Sequence, residues 1–415
     1  MAKVTGLCAH EILDSRGNPT VYCEMSVEGN IIVSSSVPSG ASTGAMEALE
    51  LRDEVQTRYD GKGVKKAVSN VNEIIKPAIL GMELDQKLID EKMIELDGTP
   101  NKSKLGANAT LGVSLCVMKA LAKVENKELY EYVSDGSISM PIAMMNILNG
   151  GMHANNGIDI QEFMIVPVVT SISERVRCGS EIFHKLNTIL KRKGLNSGLG
   201  DEGGYAPKLV SNTEALDLIV EAITKAGYVP GKNVFIALDV AANSIYDSET
   251  KTYRLDNTRM SKDGLLNYYK YLVNKYPIIS IEDPFEENDL ISLEKITALL
   301  GKKMMVVGDD YFVTNQSLLE EAAKKNAGNA ILLKANQIGT ITEMFETIKS
   351  AKAFGYKTII SHRSGETDDT FIADLAVGLN LGFIKTGSLA RGERVCKYNR
   401  LILIEDKLMG KSNLE

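Results

Sequence analysis

The feature that most constrains the fold is a series of short apolar runs that each lead into a polar or ionisable side chain. The runs occupy residues 234–238, 278–281, 304–307, 331–333, 358–360 and 382–384, and they lead into Asp239, Glu282, Asp309, Lys334, Ser361 and Lys385. Continuous apolar runs of this length are typical of parallel strands buried on both faces. Helical patterns such as LEEAAKKNA and MFETIKSAKAFG fill most of the intervals between them. The sequence therefore predicts repeated strand–helix units.

Such units can close into an α/β barrel or form an open doubly wound sheet. In a (β/α)8 barrel every strand delivers its C-terminal residues to one mouth, whereas an open sheet binds its ligand at a single switch point. Six successive strands with functional side chains at their ends favour the barrel. Its first strands are predicted at residues 141–148 and 163–169. Because loop 149–157 is too short for a crossover helix, these two strands should pair antiparallel.

A different pattern precedes the barrel. Turn residues separate the apolar runs of a predicted three-stranded meander, at residues 4–8, 12–13, 20–27 and 31–37. Apolar residues then recur at three- and four-residue spacing, which predicts helices, at residues 44–55, 64–80 and 108–124. The Gly/Ser-containing stretch 133–137 is interpreted as a linker. We therefore predict an α+β domain over residues 1–132 and a barrel domain over residues 138–415.

Composition argues against several classes of protein. The chain has 415 residues, 44% apolar and 24% charged, and no run approaches the roughly 18–20 consecutive apolar residues of a membrane helix, so no membrane association is expected. A formal charge of −7 opposes the basic surface of a nucleic-acid-binding protein and favours small-molecule ligands. The five cysteines are far apart and are expected to be reduced. The first residues lack the apolar core of a signal peptide, which predicts a cytoplasmic location.

Three of the strand-end residues are carboxylates, Asp239, Glu282 and Asp309. Three anions at one barrel mouth repel each other unless a cation neutralises them. Oxygen ligands without Cys or His favour Mg²⁺ over Zn²⁺. The alternative for each single residue is a helix cap after a strand.

Lys334 and Lys385 also end strands at this mouth. Burial and neighbouring cations should lower a lysine pKa there toward neutrality, so that one of them could act as a base. The alternative is a lysine that extends into solvent. Glu202 lies in a glycine-flanked loop, residues 200–204, and is a candidate general acid. The G-x-G-x-x-G match at residues 198–203 follows no strand, so a dinucleotide site is rejected.

Two further loops carry anion-binding side chains. Arg363 and Ser364 offer a guanidinium fork and a hydroxyl to a phosphate, although a surface arginine in a polar loop is the alternative. The Ser/Thr/Gly loop at residues 39–44 is interpreted either as a helix N-cap or as a mobile lid. His153 and His362 are ambiguous when each is considered alone.

A dozen sequence blocks, taken together and in order, resemble the enolase family. They are EILDSRGNPTV, VPSGASTG, EALELRD, LDGTPNKSKLGANA, MMNILNGG, QEFMIVPV, GDEGGYAP, SIEDP, GDDYFVTN, KANQIGT, SHRSGET and IKTG. The resemblance covers nearly the whole chain. It implies an N-terminal α+β domain over a barrel that starts ββαα, a homodimer or octamer, and reversible dehydration of 2-phosphoglycerate to phosphoenolpyruvate in glycolysis and gluconeogenesis.

The resemblance also implies roles for individual residues. Lys334 would accept the proton and Glu202 would donate one, with its pKa raised by a neighbour such as Glu162. Two Mg²⁺ ions per site would bind, the first to Asp239, Glu282 and Asp309 and the second with the help of Ser42. Substrate would be bound by His153, Gln161, Glu162, Glu282, Asp309, Ser361, His362, Arg363, Ser364 and Lys385, of which Arg363 and Ser364 hold phosphate and Lys385 meets the carboxylate.

Three departures from the family pattern remove no chemical group, namely Met152, Ala335 and the short tail after Glu405. One rival interpretation is another dehydratase or racemase of the same superfamily, which would lack the phosphate-directed SHRSGET block. The second is a surface plasminogen-binding or structural enolase-like protein, although the chain lacks a C-terminal lysine. An accessory role of that kind, with a cell-surface fraction, is compatible with catalysis.

Overall fold

A computed structural model describes residues 2–40, 44–154 and 156–411. The chain begins with an antiparallel meander of β1 (Val4–Leu13), β2 (Pro19–Val27) and β3 (Ile31–Ser36), as the turn residues predicted. Successive side chains of each strand point to opposite faces of the sheet, and those on one face, such as Val21, Cys23 and Met25, are buried. This face packs against the long helix of the same domain.

Helices follow the meander. They are α1 (Lys65–Ser69), a π-helical turn (Asn70–Ile75), α2 (Lys76–Ile79), α3 (Gln86–Asp97), α4 (Ala107–Val124) and α5 (Leu129–Tyr132). Two of the predicted N-terminal helices are therefore confirmed. By length and composition α4 could cross a membrane, but 78% of its residues are buried inside the protein, where it packs on β2 and β3. A mostly buried helix of this kind is also common in the core of proteins that cross no membrane.

The helix predicted at residues 44–55 is wrong. This segment has no regular secondary structure, because its backbone groups bond to distant parts of the chain. The amide of Ala48 donates to Gln337 O, that of Leu49 to Asn101 O, and that of Asp53 to Gly63 O, each at 2.8 Å. Tertiary hydrogen bonds have replaced the i to i−4 bonds that the apolar spacing suggested.

The remaining strands lie in the second domain. In chain order they are β4 (Ile142–Asn149), β5 (Glu162–Pro167), β6 (Val234–Asp239), β7 (Tyr246–Asp247), β8 (Thr252–Leu255), β9 (Thr258–Met260), β10 (Ile278–Glu282), β11 (Met305–Gly308), β12 (Ala330–Leu333), β13 (Lys357–Ser361) and β14 (Phe383–Lys385). Eight of them close a barrel in the order β10-β11-β12-β13-β14-β4-β5-β6. The short strands β7, β8 and β9 form a separate sheet.

Helices surround the barrel. They are α6 (Ile172–Arg192), α7 (Asn212–Lys225), α8 (Lys262–Lys275), α9 (Leu290–Leu300), α10 (Gln316–Lys324), α11 (Ala335–Ile338), α12 (Ile341–Ala353), α13 (Phe371–Gly378) and α14 (Gly392–Leu408). β4 pairs antiparallel with β5, and β5 antiparallel with β6, whereas the other barrel pairs are parallel. Two helices then precede β6. The predicted ββαα start of an α/β barrel is thus confirmed.

Strand register brings the polar strand ends together. Apolar side chains such as Met164, Val307 and Leu332 form a buried cluster in the barrel. The register pairs Asp239 with Glu282 at the C-terminal ends of β6 and β10, and it pairs Asp239 with Glu162 at the N-terminal end of the antiparallel strand β5. The same closure makes side chains from distant parts of the sequence neighbours at one mouth.

Candidate active site

A pocket at the barrel mouth is lined almost entirely by polar side chains. These are His153, Gln161, Glu162, Glu202, Asp239, Asp309, Lys334, Ser361, His362, Arg363, Ser364 and Lys385. Each was among the residues singled out from the sequence. Glu282 adjoins the pocket through its contact with Lys385. Ser42, predicted to help bind a second Mg²⁺, lies outside the described residues.

Lys385 connects three of the buried carboxylates. Its Nζ lies 2.9 Å from Asp239 Oδ2, 2.9 Å from Glu282 Oε2 and 3.0 Å from Glu162 Oε1. Burial lowers the pKa of Lys385, but the surrounding carboxylates outweigh burial and hold that pKa well above its usual value. Burial and then the charge of Asp239 raise the pKa of Glu282 well above its usual range. A single ammonium is therefore shared by three carboxyl groups, and the cluster has more acidic than basic groups.

Lys334 forms its own ion pair with Asp309. The Lys334 ammonium contacts Asp309 Oδ2, and the other carboxylate oxygen accepts a hydrogen bond of 2.9 Å from Gln337 Nε2. Burial lowers the pKa of Lys334, but Asp309 and the other carboxylates nearby, such as Glu282, together outweigh burial, so the pKa is raised. The prediction of a lowered lysine pKa is wrong for both strand-end lysines, because the combined attraction of the surrounding carboxylates exceeds the effect of burial.

The three predicted metal ligands share one mouth but are not clustered as ligands of one ion. Asp239 and Glu282 contact Lys385, whereas Asp309 contacts Lys334. Within residues 2–40, 44–154 and 156–411, the groups with ligand atoms all within 4.8 Å are His153, Glu162 and Glu202, and Asp283, Asp309 and Asp310. A cation binding to all three predicted ligands must therefore displace the lysine ammonium groups from them.

Glu202 reaches the pocket from a turn that depends on glycine. Gly203 has φ +85°, and a Cβ at this position would lie 2.6 Å from Ala390 O. Asn146 Nδ2 donates to Glu202 Oε2 at 2.9 Å. His362 Nε2 lies 3.4 Å from Glu202 Oε1, and His153 Nδ1 lies 3.7 Å from Oε2. The loop thus holds the carboxylate between an amide and two imidazoles.

Glu162 has a raised pKa and Glu202 a lowered one, whereas the sequence predicted a raised pKa for Glu202. Burial and then the charge of Glu202 raise the pKa of Glu162 well above its usual value. Burial also acts to raise the pKa of Glu202, but His153, His362 and Arg394 outweigh it, so this pKa is lowered. The sequence-based prediction of a raised Glu202 pKa is therefore wrong. In the protein alone Glu162 is the member of the pair that holds a proton more strongly.

Arg363 is held from the N-terminal domain. Its two terminal nitrogens lie 3.0 and 3.2 Å from the oxygens of Glu47, and one of them also donates to Asn336 Oδ1 at 3.2 Å. Glu47 in addition accepts from the Gly44 amide at 3.1 Å. The guanidinium thus has a defined orientation at the pocket, and the segment that follows residues 41–43 sets that orientation.

Two family models match the chain in succession. Residues 4–133 match the N-terminal domain of enolase, and residues 137–415 match the enolase C-terminal TIM barrel domain. The chain belongs to the enolase family. This membership confirms the resemblance inferred from the sequence blocks, and it supports lyase activity of the enolase type.

Four residues that contact the side chains of this site were not singled out from the sequence. Three of them hydrogen-bond to side chains of the pocket: Glu47 to Arg363, Asn146 to Glu202, and Gln337 to Asp309. All three lie inside sequence blocks that carried the family resemblance. The block position was therefore an available signal. The fourth is Arg394, which is completely buried in α14 outside those blocks. A charged side chain on the buried face of a helix was the only signal for it.

The donor set at the mouth of this enolase barrel fits a hard divalent cation. Asp239, Glu282 and Asp309 offer carboxylate oxygens, and all three are buried. Glu162 Oε2 and Gln161 Oε1 are buried oxygens without a hydrogen-bond partner among the described residues. Oxygen ligands with excess negative charge are what Mg²⁺ and Ca²⁺ prefer, and the carboxylate cluster could thus bind a metal.

Proposed function

We propose that this protein interconverts 2-phosphoglycerate and phosphoenolpyruvate in a Mg²⁺-dependent hydro-lyase reaction. The observation that carries the proposal is the composition of one pocket. It brings cationic Arg363 and Lys385, for phosphate and carboxylate, beside Lys334 and Glu202, for proton transfer. A substrate with two anionic groups and a leaving hydroxyl matches this set of side chains.

Lys334 is the proposed base. Its neutral amine takes the proton from the carbon that bears the phosphate, and the electrons of the C–H bond move into the adjacent carboxylate to give an enediolate. A lysine or histidine base beside one or two Mg²⁺ ions that stabilise an enediolate is the known pattern of the enolase superfamily. When bound to Asp239, Glu282 and Asp309, the cation would supply positive charge to the doubly anionic carboxylate.

The ion pair with Asp309 explains how the pKa of Lys334 could change with ligation. In the protein alone the Asp309 carboxylate favours the ammonium form of Lys334. Engaging Asp309 with a divalent cation removes this attraction and places a like charge nearby, which favours the neutral amine. Burial then acts in the same direction, because it also disfavours the charged form.

Glu202 is the proposed acid. As the bond between the β-carbon and its hydroxyl breaks, the electron pair of that bond leaves with oxygen, and a proton from Glu202 completes the departing water. Glu202 needs a proton for this step, although its pKa is lowered in the protein alone. Glu162 has the raised pKa of the pair, and the ligand atoms of the two residues lie within 4.8 Å of each other. We infer that one proton is shared by the pair.

The test is the ultraviolet absorbance of phosphoenolpyruvate after 2-phosphoglycerate is added to protein with Mg²⁺. We expect a rise that chelator abolishes and that Lys334→Ala abolishes. Lys349→Ala, at an exposed position of α12, is the matched control and should retain the rise. No rise with folded, magnesium-loaded protein would contradict the proposal and favour a non-catalytic binding role.

A further inference from the structure

Arg394 joins the two loops that carry the proposed acid and the phosphate-binding residues. It lies in the first turns of α14, and its guanidinium is completely buried. Nη1 lies 2.7 Å from His362 Nδ1 and donates to Arg363 O at 2.6 Å, and Nη2 donates to Ser364 O at 2.7 Å. Nη2 also lies 3.4 Å from the carbonyl oxygen of Asp201, the residue before Glu202.

The contact with His362 has a chemical consequence. A guanidinium has donors and no acceptor, and it stays charged in proteins. The nitrogen that faces it must therefore present a lone pair, so His362 Nδ1 is the acceptor. In a neutral imidazole the proton then resides on the other nitrogen, Nε2. His362 is neutral near pH 7, because burial, supported by the charge of Arg394, outweighs the opposing charge of Glu202 and holds the pKa of His362 well below its usual value.

The protonated nitrogen faces Glu202. His362 Nε2 lies 3.4 Å from Glu202 Oε1, and it makes no other hydrogen bond within the described residues. A small approach would convert this contact into a hydrogen bond to the carboxylate. The opposite tautomer would turn a lone pair toward Glu202 and repel its anionic form.

We propose that Arg394 is a positioning residue that locks His362 in the Nε2–H tautomer, so that His362 presents a hydrogen-bond donor to Glu202. The importance of this donor for turnover rests on the proposed role of Glu202 as the acid. The donor stabilises the carboxylate that remains after Glu202 has given up its proton. It also excludes His362 as a base toward Glu202, since its free lone pair is committed to Arg394.

The tautomer can be measured without any assay of activity. In the full-length protein labelled with ¹⁵N-histidine, nitrogen chemical shifts distinguish protonated from unprotonated ring nitrogens. The chain has four histidines, so a spectrum of His362→Gln assigns the His362 signals. We expect the native protein to show Nε2 protonated and Nδ1 unprotonated. A protonated Nδ1, or an imidazolium near pH 7, would overturn the proposal even if the enzyme is active.

Substitutions separate positioning from general support of the fold. Arg394→Lys keeps one donor and should retain the Nε2–H tautomer, whereas Arg394→Met should give a mixture of tautomers. Arg391→Met is the matched control, because Arg391 donates to Gly200 O from the same end of α14, and it should leave the tautomer unchanged. If Arg394→Met does not fold, the native and Arg394→Lys spectra still decide the assignment.

The activity of the same variants provides the second readout. We expect Arg394→Met to lower kcat by roughly ten- to a hundredfold, the usual effect of losing a residue that orients a functional group, with KM changed less. Arg394→Lys should recover part of kcat. An equal loss of kcat with an unchanged tautomer would show that Arg394 only supports the loops. If the native protein shows the Nε2–H tautomer but no turnover, the proposed function fails and the tautomer assignment stands.

Discussion

Lys385 and Glu282 form an almost completely buried ion pair, in which the lysine Nζ lies 2.9 Å from one carboxylate oxygen and 3.0 Å from the other. The same ammonium contacts Asp239 and Glu162. Removing one partner of a buried pair leaves uncompensated charge, which costs far more than the pair itself contributes. The site therefore depends on Lys385 for stability as well as for its proposed contact with substrate.

Lys385→Met should lower the free energy of unfolding by about 3–5 kcal/mol, because three buried carboxylates lose their shared cation. Urea unfolding in the presence of EDTA measures this loss. Lys295→Met is the control, since its side chain is 58% exposed and lies 4.0 Å from Asp263, a contact worth little. Added Mg²⁺ should recover part of the stability of Lys385→Met. Equal stability of the two variants in EDTA would contradict the prediction.

Binding of Mg²⁺ should release protons over the pH range in which Glu282 titrates. The pKa of Glu282 is raised well above its usual value, and a cation requires the deprotonated carboxylate. The apparent affinity for Mg²⁺ should accordingly increase with pH. Calorimetric titration in two buffers with different ionisation enthalpies, such as HEPES and Tris, gives the number of protons released.

Glu282→Gln should abolish most of this proton release and weaken Mg²⁺ binding, since an amide neither titrates in this range nor carries charge. Glu294→Gln, at an exposed position of the next helix, should behave like the native protein. The same heat of binding in both buffers for the native protein would show that Glu282 is already ionised.

Substitutions of Lys334 and Glu202 should affect different steps of the proposed reaction. Lys334→Ala should lose both exchange of the α-proton of 2-phosphoglycerate with solvent deuterium and formation of phosphoenolpyruvate. Glu202→Gln should lose formation of phosphoenolpyruvate by roughly 10²–10⁴-fold but retain exchange, since the amide cannot donate the proton that the leaving hydroxyl needs. Proton NMR measures the exchange. Equal exchange rates in the two variants would refute the assignment of Lys334 as the base and Glu202 as the acid. Glu346→Gln, at an exposed site, serves as the control.

The barrel could be predicted from the sequence because its strands carry a local signal. β6, β10 and β12 each coincide within a residue with an apolar run that ends in a charged side chain. Burial on both faces produces this signal without any knowledge of the partner strand. The small sheet β7-β8-β9 was missed, although it lies in the longest interval between the six polar strand ends, from Asp239 to Glu282. Only that unusual length indicated an insertion.

The charges of the site could not be predicted from sequence spacing. Lys385 contacts Asp239 across 146 residues, and only closure of the barrel makes them neighbours. The directions of the lysine and Glu202 pKa values depend on such contacts, which explains why they were predicted wrongly. The helix predicted at residues 44–55 was wrong for a related reason, because distant carbonyls and side chains accept the hydrogen bonds of its backbone amides. The residue types and the order of the sequence blocks were enough to identify the residues of the site. Which of these side chains contact each other could be determined only from the fold.

Asp310 should make stability depend on pH. Burial and then the charge of Asp309 raise the pKa of Asp310 from 3.8 to about 7. An acid with a higher pKa in the folded state binds more protons when folded, so its contribution becomes more unfavourable as pH rises from about 4 to about 7 and is constant above. The full pKa difference between the folded and unfolded states corresponds to roughly 4 kcal/mol in the free energy of unfolding, and the partial exposure of Asp310 reduces this figure.

Because asparagine does not ionise, Asp310→Asn should gain stability relative to the native protein at pH 8, and less at pH 5. Urea unfolding at both pH values, with EDTA present to exclude cation binding at neighbouring Asp309, measures the difference. Asp263→Asn is the control, because its side chain is 82% exposed and should show no such dependence. A stability difference for Asp310→Asn that is equal at pH 5 and pH 8 would mean that Asp310 titrates alike in the folded and unfolded chains.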